Sequence, residues 1–287
     1  MRRCGVLAPT RLVRGLRVPV ILYGTAWKEG ETRSLTRLAI AQGFRGIDTA
    51  NQRKHYVEAA VGEAVRDALA SAAVTRDALF LQTKFTSADG QDHRLPYDAG
   101  APVARQVEQS FARSLEHLGV DDLDALVLHG PTTRHGLAPD DWAAWRAMEG
   151  LHRSGRVRLL GASNVTLEQL ELLVRDAAVR PAFVQNRCYA RTRWDAAVRA
   201  FCARHDVVYQ GFSLLTANRA VVAGPAVRRI ADRTAHTPEQ IIFAFAHAMG
   251  MLALTGTSSA AHMHADLSAL ALALPPADLE AIERAGS

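Results

Sequence analysis

Short apolar runs recur along the chain at residues 20–22, 46–47, 79–81, 123–128, 157–160, 183–184, 207–209 and 251–254. Between them lie longer segments whose apolar positions repeat with the period of a helix, such as Val103, Val107, Phe111, Leu115 and Leu118, or Leu167, Leu170, Leu173 and Val174. The pattern predicts eight strands alternating with helices. Parallel strands need helical crossovers and cover on both faces, so the alternation points to a closed (β/α)8 barrel, a TIM barrel. Helix starts are marked by Thr166 with Gln169, a capping-box spacing, and by Thr237-Pro238-Glu239-Gln240, an N-cap followed by proline. The longest irregular stretch, residues 86–102, exceeds ordinary loop lengths and is expected to be functional or mobile. An open doubly wound sheet is the rival architecture, but the chain has neither G-x-G-x-x-G nor a P-loop.

Length agrees with this reading, since 287 residues suit one barrel domain spanning 1–287. Residues 1–19 read as a short arm or hairpin closing one end. No run of about 20 apolar residues offers a membrane span. A net charge of +5 raises the question of nucleic acid, yet the basic residues are diffuse and some sit beside acids, as do Arg66 and Arg76. No nucleic-acid or membrane partner is expected. Cys4, Cys188 and Cys202 are odd in number and widely spaced, which excludes a disulfide framework or zinc cluster and fits a reduced, cytoplasmic setting.

The reactive groups of a barrel stand at the C-terminal strand ends. Here those positions carry Gly24-Thr25, Asp48, Lys84, His129, Ser163-Asn164, Gln185-Asn186, Phe212-Ser213 and the segment 255–259. Lys84 stands out because Lys28, Lys54 and Lys84 are the only lysines among 34 basic residues. An Asp48–Lys84 pair beside a tyrosine hydroxyl would favour phenolate and lower a pKa that starts near 10. His129, after an apolar strand, would orient or polarise a substrate oxygen.

Asp48, a following tyrosine, Lys84 and His129 on successive strands resemble the Asp-Tyr-Lys-His tetrad of the aldo-keto reductase superfamily. The segments Gly43-Phe-Arg-Gly-Ile-Asp-Thr-Ala50, Val61-Gly62, Leu128-His129-Gly-Pro131 and Gly161-Ala-Ser-Asn164 extend the likeness over residues 18–283. The resemblance implies hydride transfer from NADPH or NADH to a small-molecule aldehyde or ketone. It makes Tyr56 the general acid, assisted by Asp48, Lys84 and His129. Cofactor contacts are implied for Gly24, Thr25, Asp48, Ser163, Asn164, Gln185, Phe212, Ser213, Leu215, Thr257, Ser258, His262 and Asp266. Trp27, His55 and Tyr97 are candidates to meet substrate, and a monomer or weak homo-oligomer is expected. His55 takes the tyrosine's place if the spacing to Val61-Gly62 is kept without a gap, so it is the alternative proton donor. After the eighth strand the lysine and arginine that clamp the adenosine 2′-phosphate in many relatives are missing. Their loss predicts weaker NADP relative to NAD and leaves the preference open.

Three other readings compete on the same barrel. A cofactor-bound protein could keep the fold as a regulator or as a non-redox catalyst, an isomerase or lyase, since fold does not fix function. A Schiff-base lyase would use a neutral Lys84, which an ion pair with Asp48 opposes. A metal-dependent hydrolase would recruit His262-x-His264 with His129, yet no carboxylate follows at suitable spacing, so no metal is expected. NAD(P)H consumption with a carbonyl compound separates these readings.

Overall fold

The computed structural model describes residues 7–286; residues 1–6, with Cys4 among them, and residue 287 lie outside the described residues. The chain opens on a hairpin of β1 (Thr10–Val13) and β2 (Leu16–Pro19), paired from Thr10↔Pro19 to Val13↔Leu16. Its two-residue turn, Arg14-Gly15, has φ of 47° and 85°, the left-handed geometry that matches strand twist in a tight hairpin. Eight parallel strands follow: β3 (Ile21–Gly24), β4 (Gly46–Asp48), β5 (Phe80–Phe85), β6 (Leu123–Leu128), β7 (Val157–Ser163), β8 (Phe183–Arg187), β9 (Val208–Phe212) and β10 (Leu252–Thr255). Each pairs with the next, and β10 pairs with both β9 and β3, so the sheet closes into the expected barrel.

The helical layer comprises α1 (Thr32–Gln42), α2 (Glu58–Ala70), α3 (Val103–Leu118), α4 (Pro139–Arg153), α5 (Leu167–Asp176), α6 (Ala196–Arg204), α7 (Arg219–Val222), α8 (Pro225–Thr234), α9 (Pro238–Ala248), α10 (Ala260–Ala269) and α11 (Pro276–Arg284). The two capping boxes form as their sequences require: Thr166 and Thr237 accept from the backbone N–H of Gln169 and Gln240 and receive the reciprocal side-chain bond. Gly62 lets α2 and α3 touch, because a Cβ there would run into the backbone of His117 and Leu118. Trp145 is buried in the helical layer with Trp142 packed against the same core.

Two apolar clusters divide the work. The larger fills the space between strands and helices. The smaller joins Leu22, Phe80, Ala125, Leu159, Phe183, Val208 and Leu252 to Val13 and Val18 of the hairpin. The hairpin therefore stoppers the N-terminal end of the barrel, and the polar chemistry is left at the other end.

Candidate active site

Above the apolar stopper, period-two alternation turns Gln82 and Lys84 of β5, Gln185 of β8 and Gln210 of β9 toward Asp48 at the end of β4. Lys84 Nζ lies 2.7 Å from both Asp48 oxygens and 2.8 Å from the Thr49 carbonyl, so its three donors have three acceptors. Asp48 Oδ1 also accepts from Gln82 Nε2 at 2.7 Å and Gln185 Nε2 at 3.0 Å. Both amides donate to Gln210 Oε1 as well, each at 2.9 Å. The charge pair is fully enclosed, at 1% exposure for the Lys84 side chain and 3% for Asp48, and this amide ring is what satisfies it.

A cavity of about 990 Å³ opens over this layer. Tyr56 and His129 stand at its floor, with ring centroids 6.0 Å apart, and Lys84 Nζ is 5.3 Å from the Tyr56 ring centroid. The Tyr56 hydroxyl has no hydrogen-bond partner within the protein among the described residues, and it opens onto the cavity. The expected acidification of this phenol does not occur. Burial, and then the negative charge of Asp48, push it well above 10, because the Lys84 ammonium is already committed to Asp48 and Thr49. Burial, reinforced by the Lys84 charge, lowers His129 to about 3, so the imidazole is neutral. Its Nδ1 is 2.7 Å from the Thr86 hydroxyl. With that hydroxyl donating, Nε2 carries the hydrogen and is left to donate into the cavity.

Gly24, Trp27, His55, Ser163, Asn164, Gln185, Phe212, Ser213, Leu215, Thr257, His262 and Asp266 all line the same cavity. The Ser163 hydroxyl donates to the Gln185 carbonyl at 2.7 Å, and Asn164, in left-handed backbone with φ 54°, donates to the His129 carbonyl at 2.8 Å. At the rim, exposed Trp27 packs on His55 with centroids 3.9 Å apart, while His55 Nδ1 meets Gln52 Oε1 at 2.9 Å. At the far end, Ser259 caps α10, and the Thr255 hydroxyl bonds Asp266 Oδ2 at 2.7 Å. Burial raises Asp266 to about 7.

Besides Lys84, which is enclosed beneath the floor, three candidates do not reach the cavity. Thr25 is sealed beneath it, its hydroxyl bonded to the Asp48 carbonyl at 3.0 Å. Ser258 is exposed and lies outside the lining. Tyr97 is buried against Phe85 and donates to the Thr86 carbonyl at 2.7 Å, pinning the 86–102 segment instead of covering a substrate. The sequence reading missed Gln82 and Gln210, although each stands two residues before a named position, Lys84 and Phe212, and so on the same strand face. It also passed over Arg187, and Lys28, whose ammonium donates to the Gly256 carbonyl and brings a cation to the turn after β10 from a distant segment. Lys84 has no donor to spare for a Schiff-base role. His262 and His264 are two apart on α10, a spacing that points them to different faces.

Comparison with known proteins gives one consistent result. A family model described as Aldo/keto reductase family matches residues 22–286. An aldo-keto reductase of Mycobacterium tuberculosis is 30% identical over 226 residues, covering 78% of this chain and 72% of that protein. Glycerol 2-dehydrogenase (NADP(+)) of Hypocrea jecorina is 27% identical over 94% of this chain and 89% of its own length. The crystal structure of an aldo/keto reductase from Brucella melitensis superposes with a TM-score of 0.81 at 25% identity, covering 97% of this chain and 99% of that one.

Proposed function

The chain belongs to the aldo/keto reductase family, an NAD(P)-dependent oxidoreductase family, and on that premise we propose that it reduces an aldehyde or ketone with Tyr56 as proton donor. The observation that carries this reading is the unpartnered Tyr56 hydroxyl at the cavity floor, beside neutral His129 and above the sealed Asp48–Lys84 pair. A carbonyl oxygen placed between the phenol and His129 Nε2 meets two donors where negative charge develops. Tyr56 then gives up its proton, and the nearby ammonium of Lys84 stabilises the phenolate left behind. Lys84 acts as a fixed charge, not as a donor to the hydroxyl.

The donor set fits a nicotinamide. Within the protein, and among the described residues, the side-chain carbonyl oxygens of Asn164 and Gln185 lack a donor, whereas their amide nitrogens are engaged. A carboxamide offers the complementary N–H groups, and the Ser163 hydroxyl and Asn164 amide stand beside them. Phe212 supplies an aromatic face at the end of β9. When bound, NAD(P)H supplies the hydride. The name of the Hypocrea jecorina relative supports NADP for this chain too. Lys28 at Gly256, the capped start of α10 and His262 are the groups that would meet cofactor phosphates.

Tyr56→Phe tests the reading. Carbonyl-dependent NADPH oxidation is expected to fall about 10²- to 10⁴-fold with an unchanged Kd for NADPH. Undiminished turnover transfers the proton to His55.

A further inference from the structure

Arg187 closes β8 two residues beyond Gln185, so both side chains rise from one face of the strand into the barrel mouth. Its guanidinium stands 5.6 Å from the centroid of the Phe212 ring, and Phe212 is its partner in the strand register. Among the cavity carboxylates, Asp48 is held by Lys84 and Asp266 by Thr255, and among the described residues neither Asp89 nor Glu239 pairs with Arg187. The barrel mouth thus carries a cation with no counter-charge directly on the aromatic ring read above as the nicotinamide platform.

That placement has an electrostatic consequence, which rests on the reading of Phe212 given above. Giving up hydride turns an uncharged dihydropyridine into a pyridinium bearing one positive charge; the carbonyl gains the hydride and, from Tyr56, a proton, and becomes an alcohol. A neighbouring guanidinium opposes the charged oxidised ring and leaves the uncharged reduced ring unaffected. We infer that Arg187, unpaired beside Phe212, biases the bound cofactor toward its reduced form, so that the site favours carbonyl reduction over alcohol oxidation. A unit charge about 8 Å from another, in an effective dielectric between about 20 and 40, changes an equilibrium about five- to thirty-fold. Arg187 is exposed, so the lower end applies and shrinks further at high salt.

Equilibrium titration of the intact protein with NADPH and with NADP+ tests this without any turnover. The ratio of Kd for NADP+ to Kd for NADPH is expected to fall about five-fold in Arg187→Met, mainly through tighter NADP+, and to return in Arg187→Lys. An unchanged ratio in Arg187→Met overturns the inference. So does equal weakening of both forms, which would make Arg187 a phosphate contact. Failure of the wild-type protein to bind either form overturns the nicotinamide reading itself, and this inference with it.

Discussion

Tyr56 and His129 meet the reaction in their neutral forms, one pushed well above 10 and the other down to about 3, in both cases mainly by burial. Neither changes protonation near neutrality, so single-turnover carbonyl reduction is expected to be flat between about pH 5 and 9. An acid limb near the ordinary histidine pKa would mean that His129 works as an imidazolium. Asp48→Asn tests the layer beneath. It leaves the Lys84 ammonium enclosed without compensation, and breaking such a pair costs about 3–5 kcal/mol. In that variant the folded Lys84 has a depressed pKa, so the unfolded chain binds more protons and stability is expected to rise with pH toward 9.5. Chemical denaturation at two pH values reads both effects. Asp48, Lys84 and His129 were legible in the sequence because each stands just past an apolar run, where a barrel strand ends. The direction of the Tyr56 shift was not, because it depends on the three acceptors already facing Lys84, and only folding brings Thr49 and both Asp48 oxygens to one ammonium.

The alternation of strand and helix was readable because each element carries its own period, and the caps were readable because they are local. Thr237→Ala removes the hydroxyl that accepts from Gln240 N–H at the start of α9 and is expected to lower stability by about 1 kcal/mol, measured as a shift in the urea midpoint. Gly62 is a different kind of position. Its residue type is visible in Val61-Gly62, but the reason for it lies on α3, where the backbone of His117 and Leu118 fills the space a side chain would need. Gly62→Ala is therefore expected to cost about 1–3 kcal/mol despite the better helix propensity of alanine, and a gain in stability would mean that α2 and α3 can part without penalty. The 86–102 segment marks the limit of local reading. Its length signalled a special loop, yet its order comes from contacts with Asn51 and Gln52, distant in sequence, and from Tyr97 folding back onto Phe85 at the end of β5.

The barrel is layered along its axis: an apolar stopper at the hairpin, a ring of amides around one ion pair, then an open polar mouth. Asp266 sits at the edge of that mouth, buried and raised from 3.8 to about 7, so the fold holds it as a neutral acid below neutrality. A raised acid stabilises the folded chain fully below its unfolded pKa of about 4, and that contribution is lost as pH rises through 7. His129 works in the opposite sense, since a depressed histidine contributes fully above its unfolded value of 6.5 and is lost as pH falls toward 3. The two slopes oppose each other between about pH 4 and 6.5, which flattens the stability of the wild-type protein there. Asp266→Asn removes one of them. Relative to wild type, the variant is expected to gain about 2–3 kcal/mol between pH 5 and pH 8, read from urea unfolding of both proteins at the two pH values. A stability difference independent of pH would show that Asp266 is ionised in the folded chain throughout, and that its bond to Thr255 holds a carboxylate instead of an acid.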